Sequence, residues 1–301
     1  METKKILRKI ASGQNFIDPL DKLFDRVITG ELKYSKSSII KIADIQSSIL
    51  ESDKNDLKIF INTGYISPVL YPFFCSLIPV GNLYGKNIRM GYSASNNRLK
   101  SAFDKHGVFA HFTGNRNNSI SVDGVQFTEV VADATTTDIV NKTVSLLPVK
   151  MSDKYKNKFT SKLYEVFINA QKHSKSDLPT MAIAFMNKTK FYFSAYDAGI
   201  GIPSNVRLFL QDEDLTDREA MEWALTDNNS TASNSSEVSR GAGLGVIEQF
   251  VKENRGVMML VSGSCCYVVN GSTSSYIRLP NSVKGTFFSM KINVDREHLY
   301  E

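Results

Sequence analysis

The hydrophobic and polar residues between positions 152 and 174 recur with a period close to that of an α-helix. One arc of this predicted helix is apolar, and a neighbouring arc carries Glu165, Asn169 and His173. The first arc is predicted to enter a core, while the second presents a carboxylate, a carboxamide and an imidazole. The apolar arc consists of Phe159, Leu163, Val166, Phe167 and Ala170.

A carboxylate and a carboxamide one helical turn apart are suited to metal-assisted chemistry. The amide oxygen of Asn169 can bind a magnesium ion, while the carboxylate of Glu165 orients a water or a hydroxyl. The same spacing also occurs on solvated helix faces, so the helix alone leaves both interpretations open. Two glycine-rich stretches later in the chain favour the first one.

The first stretch follows a strand-like run at residues 191–196 and begins with Asp197 in the order Asp-Ala-Gly-Ile-Gly. Its two glycines free the backbone for a tight turn and leave one carboxylate at the end of the strand. The second stretch, residues 240–247, reads Arg-Gly-Ala-Gly-Leu-Gly-Val-Ile and opens another helical pattern. Its glycines let main-chain amides close on an anion. Alone, the first could be an ordinary turn and the second a flexible linker.

In this order the three stretches resemble the ATP-binding superfamily of gyrase, heat-shock chaperone ATPases, sensor histidine kinases and MutL proteins, known as GHKL. The resemblance covers about residues 152–294 and implies the α/β sandwich called the Bergerat fold. It implies an N-box of Glu165, Asn169 and His173, a first glycine box of Asp197, Gly199 and Gly201, a second of Arg240, Gly241, Gly243, Leu244 and Gly245, and a closing strand that supplies Thr286.

The resemblance further implies that these residues bind ATP with Mg²⁺, with Asn169 as metal ligand and Glu165 as catalytic base. The N-box is most similar to that of anti-sigma-factor serine kinases, but gyrase-like ATPases share the Glu-x3-Asn pair. An ATPase, a serine/threonine protein kinase and a module that binds ATP without turnover therefore all stay open. Residues 204–240 correspond to the lid over the nucleotide, and the composition of 227–240 predicts mobility there.

The first half of the chain predicts strands alternating with helices, which indicates a small α/β layer. Its order resembles the sulfate-transporter and anti-sigma-antagonist (STAS) domain over roughly residues 36–115. Ser67 stands where that family carries its acceptor serine, although helix capping is the simpler interpretation. The predicted elements are helical pieces within 15–50, a strand at 57–62, a helix from 67 to 77, a strand at 87–92, a helix at 97–105 and a short strand at 108–112.

A boundary is predicted between residues 148 and 152, after a strand at 125–131 and a helix at 137–147. It divides an α/β interaction or regulatory domain, residues 1–148, from an ATP-binding domain, residues 149–301. In the second domain we expect a hairpin around residues 187–188, a capping box at Thr216 and Glu219, and several antiparallel strands after residue 257.

Composition narrows the class of protein. The chain has 301 residues and a formal net charge of +5, without a dense basic run, so nucleic acid is not expected as a partner. Its three cysteines show no CxxC spacing, which favours a reducing cytoplasm. Its amino terminus lacks a secretory pattern and its longest apolar patch is too short to span a bilayer, so no membrane association is expected.

These observations predict a cytoplasmic protein that uses ATP to switch a protein partner in signalling or regulation. The partner is expected to bind through the first domain, and association of two copies into a homodimer is left open.

Overall fold

The computed structural model describes residues 23–93, 95–112, 120–121, 124–130, 133–226 and 243–301. Within these ranges the chain is a mixed α/β protein with three β-sheets of three, six and two strands. No helix in the same ranges is long and apolar enough to cross a membrane.

The amino-terminal layer is built on a parallel sheet in the order β1-β2-β3. Its strands are β1 (Arg26–Thr29), β2 (Asp56–Asn62) and β3 (Asn87–Tyr92). Its helices are α1 (Lys36–Leu50), α2 (Tyr71–Cys75), α3 (Leu77–Leu83), α4 (Asn97–Lys105) and α5 (Val108–Phe112), and a 3-10 turn spans Pro68–Leu70.

The predicted short strand at residues 108–112 is wrong, because this segment forms α5. The amide of His111 donates to the carbonyl of Gly107 at 3.0 Å, which closes a helical turn. Five residues are too few for hydrophobic periodicity to distinguish a strand from a helix.

Two other predictions for this layer need correction. The expected helix from Ser67 is a 3-10 turn followed by two short helices, and the Ser67 hydroxyl makes no capping hydrogen bond. Strand β1 lies within residues 15–50, where the pattern predicted only helix, although α1 is present as expected. The β-branched run Val27-Ile28-Thr29 favours the strand, and β1 pairs with β2. Residues 1–22 lie outside the described part of the chain.

The central sheet has six antiparallel strands in the order β4-β5-β7-β8-β10-β9. The predicted hairpin around residues 187–188 is confirmed, and the runs after residue 257 merge into two long strands. The strands are β4 (Ile120–Ser121), β5 (Gly124–Val130), β7 (Thr180–Asn187), β8 (Lys190–Asp197), β9 (Val257–Asn270) and β10 (Thr273–Asn293), while β6 (Val149–Met151) pairs separately with β11 (Asp295–Tyr300).

The remaining helices are α6 (Asp133–Ser145), α7 (Asp153–His173), α8 (Gly201–Leu210), α9 (Asp217–Leu225) and α10 (Gly243–Glu253). The predicted helix with the apolar arc is α7, whose first turn is capped by the hydroxyl of Ser152. The predicted capping box of Thr216 and Glu219 is present at the start of α9.

One face of the central sheet packs against α7 and α10. Phe159, Leu163 and Phe167 of α7 are fully buried there. The rings of Phe159 and Phe250 meet at 4.9 Å between centroids, and those of Phe167 and Phe193 at 5.8 Å. The apolar arc read from the sequence therefore forms the inner face of the helix.

The opposite face of the central sheet is covered by the amino-terminal layer. Ile183 and Phe287 of the sheet belong to one hydrophobic cluster with Ile39 of α1 and Phe73 of α2. The rings of Phe73 and Phe287 stack with centroids 5.5 Å apart. The sheet is therefore enclosed between two layers, each of which buries apolar side chains of one face.

The predicted boundary at residue 148 does not coincide with a boundary in the packing. Strand β5 lies before it, yet β5 pairs with β7 in the central sheet, with Thr128 opposite Ala182. The first 148 residues thus contribute both the covering layer and two strands of the sheet itself.

Candidate functional site

The residue at the end of β8 is a buried carboxylate, Asp197, which is 7% exposed. One of its oxygens accepts a hydrogen bond from the amide of Gly199 at 2.9 Å, and Thr286 stands opposite it on β10. Burial raises the pKa of Asp197 to about 7, although hydrogen bonds from Gly199 and Thr286 act in the opposite direction. A carboxyl held in this way favours a ligand that donates a hydrogen bond.

Two glycines make close backbone contacts around the end of β8. A Cβ atom at Gly199 would lie 2.3 Å from the carbonyl oxygen of Ser174, the residue after α7. Gly285 has a φ of +87°, and a Cβ atom there would lie 1.9 Å from the carbonyl oxygen of Asp197. Neither position accepts a side chain without a backbone shift, so the end of α7, the end of β8 and the start of the Thr286 segment are held together.

A serine that the sequence reasoning did not identify connects these elements. The hydroxyl of Ser262 on β9 is buried, donates to the carbonyl of Gly285 at 2.9 Å and accepts from the amide of Ile202 at 2.9 Å. It also lies 3.3 Å from the hydroxyl of Thr286. Gly201 begins α8 beside it with a φ of +83°. Nothing in the local pattern around Ser262 distinguishes it from other polar residues of a strand.

The N-box residues lie along α7, and two of them, Asn169 and Glu165, precede the end of the helix by one or more turns. At about 1.5 Å of rise per residue, Asn169 lies about 8 Å and Glu165 about 14 Å along the helix from Ser174. Asn169 is exposed, whereas the side chain of Glu165 is 22% exposed. The side chain of His173 lies outside the described part of the structure.

Glu165 is paired with Lys162, a residue that the sequence reasoning also missed. The ammonium of Lys162, whose side chain is 10% exposed, donates to Oε1 of Glu165 at 2.8 Å. The Oε2 atom of Glu165 is buried and has no hydrogen-bond partner among the described residues. The spacing of three residues could have identified this ion pair, because it places both side chains on one helix face.

The second glycine stretch begins α10, which packs beside α7 on the same face of the sheet. Gly243, Leu244 and Gly245 occupy the first turn of α10, where backbone amides have no partner within the helix. Arg240, Gly241 and the predicted mobile segment at 227–240 lie outside the described residues. The rest of the predicted lid, residues 204–226, contains the end of α8 and the whole of α9.

The structure therefore brings Asp197, Gly199, Gly201 and Thr286 together at one end of the central sheet. Asn169 and Glu165 extend from this cluster along α7, and the first turn of α10 belongs to the neighbouring helix. No cluster of three or more His, Cys, Asp or Glu residues suited to a metal occurs in the described ranges.

No protein-family model and no curated protein matches this chain in the comparisons. The resemblance to the GHKL superfamily therefore rests on the residues named above and on their arrangement.

Proposed function

We propose that the chain is an Mg-ATP-binding protein of the GHKL type, and that nucleotide occupancy switches its contacts with a protein partner. The observation that carries this proposal is the buried carboxyl of Asp197 at a strand end, opposite Thr286 and bonded to the amide of Gly199. The exocyclic amino group of adenine is a donor that matches this acceptor.

The phosphate end of the proposed site is supported by α7 and α10. The first turn of α10 offers unpaired amides and the positive end of a helix dipole to an anion. Asn169 is exposed on the adjacent helix and offers an amide oxygen. Magnesium commonly combines one or two protein oxygens with phosphate oxygens and water, so a single carboxamide is sufficient as the protein's share.

The state of Glu165 supports slow phosphate chemistry. A base must accept a proton from water or from a hydroxyl, and Oε2 of Glu165 is a buried acceptor without a partner in the described residues. Lys162 holds the other oxygen and fixes the orientation of the carboxylate. In this proposal Glu165 activates the acceptor, which is water in an ATPase and a serine or threonine hydroxyl in a kinase.

The same ion pair also supports the alternative function, a module that binds ATP without turnover. An ion pair with 2.8 Å between ammonium and carboxylate stabilises α7 and needs no catalytic role. ATP would then act as a conformational ligand, and the amino-terminal layer would report its presence.

The amino-terminal layer is proposed to carry the partner contacts. Its three parallel strands alternate with helices, and in this proposal the layer is the STAS-like domain that the sequence resembles. Ser67, the residue in the place of the family's acceptor, is 5% exposed, so phosphorylation there would require a change of conformation.

Calorimetry and a transfer assay test the proposal. Wild-type protein should bind Mg-ATP, and Asn169→Ala should weaken the magnesium-dependent part of that affinity by about tenfold or more. Asn157→Ala is the matched control, because Asn157 is an exposed asparagine about three turns earlier on the same helix. Absence of nucleotide binding by the wild type would refute the proposal.

Radiolabelled ATP, with and without a cell extract, then separates free phosphate, a labelled partner and neither product. Glu165→Gln should retain ATP affinity and lose about 10²–10⁴ in rate. If wild type and Glu165→Gln both bind ATP and show the same negligible turnover, the non-catalytic module is the correct function.

A further inference from the structure

A buried polar side chain of the amino-terminal layer, that of Gln46, contacts the proposed adenine end of the site. Gln46 of α1 is 1% exposed and points into the contact between α1 and the central sheet. Its amide nitrogen donates to the hydroxyl of Tyr196 at 3.1 Å, and its amide oxygen accepts from the backbone amide of Lys284 at 2.7 Å. The hydroxyl of Tyr196 donates in turn to the carbonyl of Lys284, which closes a ring of three residues.

The two residues that Gln46 contacts by hydrogen bonds come immediately before residues of the proposed adenine site. Tyr196 is followed by Asp197, and Lys284 is followed by Gly285, whose backbone abuts Asp197 and leads to Thr286. The ring of Tyr196 also stacks on Phe73 of α2, with centroids 5.4 Å apart. Gln46 therefore connects β8 and β10 at the point where they carry Asp197 and Thr286.

We infer that Gln46 is a positioning residue that couples the amino-terminal layer to base recognition, an inference that rests on the proposed ATP site. Displacement of α1 breaks both bonds of the carboxamide and removes the acceptor of the half-buried amide of Lys284. Binding of adenine, which fixes Asp197 and Thr286, in turn favours the docked position of α1. A partner that pulls on the amino-terminal layer thus lowers affinity for the base, and the base opposes the partner by the same factor.

The test compares ATP with inosine triphosphate, in which a carbonyl replaces the amino group of the base. Wild type should prefer ATP, because Asp197 accepts from the amino group. Gln46→Met keeps the length of the side chain and removes both hydrogen bonds, so it should reduce the ATP-to-inosine-triphosphate affinity ratio by about tenfold. A loss of folded protein would lower both affinities together and leave the ratio unchanged.

Tyr34→Phe is the matched control, because it also removes one hydrogen bond between the two layers. The Tyr34 hydroxyl lies 3.0 Å from that of Ser289, three positions beyond Thr286 on β10. This variant should keep the wild-type ratio. If Gln46→Met does not fold, Tyr196→Phe removes the hydroxyl from the other side of the same network and should give the same loss of discrimination.

The outcomes separate this inference from the proposed function. A wild type that binds neither nucleotide refutes the ATP site itself. If the wild type prefers ATP and Gln46→Met and Tyr196→Phe keep the same affinity ratio, the role of Gln46 is overturned while the ATP site stands. An equal loss of the affinity ratio in Tyr34→Phe also overturns the role of Gln46, because any weakening of the contact between the two layers would then explain the effect.

Discussion

Asp197 is predicted to reduce the stability of the folded protein above neutral pH, and Asp197→Asn is the perturbation that reveals this. The pKa of Asp197 lies at about 7 in the folded protein, mainly because burial disfavours the charged form, against 3.8 for an ordinary aspartate. Each pKa unit corresponds to about 1.4 kcal/mol, so ionising this carboxyl costs the folded state about 4 kcal/mol.

The sign follows from the protons bound by each state. Between about pH 4 and pH 7 the folded state retains a proton that the unfolded state has lost. The contribution of Asp197 to the free energy of unfolding therefore falls as pH rises through this window and is constant above it. Asparagine does not ionise and keeps an oxygen for the amide of Gly199, at the cost of a weaker hydrogen bond of roughly 1–2 kcal/mol.

Asp197→Asn should thus be more stable than wild type by about 2–3 kcal/mol at pH 8, and the two should differ by less than about 1 kcal/mol at pH 5. Urea unfolding at the two pH values measures this difference. If the variant is less stable than wild type by a similar amount at both pH values, burial does not disfavour the charged carboxyl and the reasoning fails.

Asp217→Asn is the matched control with the opposite sign. Burial raises the pKa of Asp217, but hydrogen bonds from Ser264 and Arg207 outweigh it, and the pKa lies below its ordinary value. The backbone amide of Ser264 donates to this carboxylate at 2.6 Å. Its contribution to stability is present above the ordinary pKa of an aspartate and is lost only as pH falls below that value. Asp217→Asn should therefore destabilise by about the same amount at pH 8 and at pH 5.

Three further outcomes are expected. The affinity of the wild type for ATP should rise by up to about tenfold from pH 6 to pH 8, because the amino group of the base donates to the ionised form of Asp197. Calorimetry should find a smaller rise in Asp197→Asn. Gly199→Ala should lower the free energy of unfolding by more than about 2 kcal/mol, because the added Cβ atom meets Ser174. Gly64→Ala should change it by less than about 1 kcal/mol, because nothing lies within 4 Å of a Cβ atom there. Equal losses of stability in thermal unfolding would contradict the close approach at Gly199. Lys162→Met should lower the free energy of unfolding by about 2–4 kcal/mol, because it leaves the carboxylate of Glu165 without its ammonium partner. Adding Glu165→Gln to this variant should restore most of the lost stability. If urea unfolding shows instead that the two losses add, the pair does not interact.

Local regularities explain what the sequence predicted correctly. The apolar arc of α7 was visible because a 21-residue helix repeats its period many times. The capping box at the start of α9 is a four-residue signal with a fixed mechanism, and it is present. The error at residues 108–112 arose where the segment was too short for either period to show.

The missed features depend on contacts between distant parts of the chain. Gln46 meets Tyr196 across 150 positions, and Ser262 meets Gly285 across 23. Strand β5 was predicted as a strand, but its partner β7 starts 50 residues after β5 ends, so the sequence alone could not assign it to the central sheet. Such pairings are decided by tertiary packing, which a local pattern does not record.

The placement of the central sheet between two layers has a consequence for synthesis and truncation. The amino-terminal layer buries Ile39 and Phe73 against Ile183 and Phe287. During synthesis, Ile183 and Phe287 emerge from the ribosome more than a hundred residues after Ile39 and Phe73. Until then the apolar surface of the layer is exposed, and long-range pairing of this kind slows folding and favours aggregation of incomplete chains. A fragment of residues 1–148 should therefore be insoluble when expressed alone, whereas addition of the remaining chain should restore a soluble product.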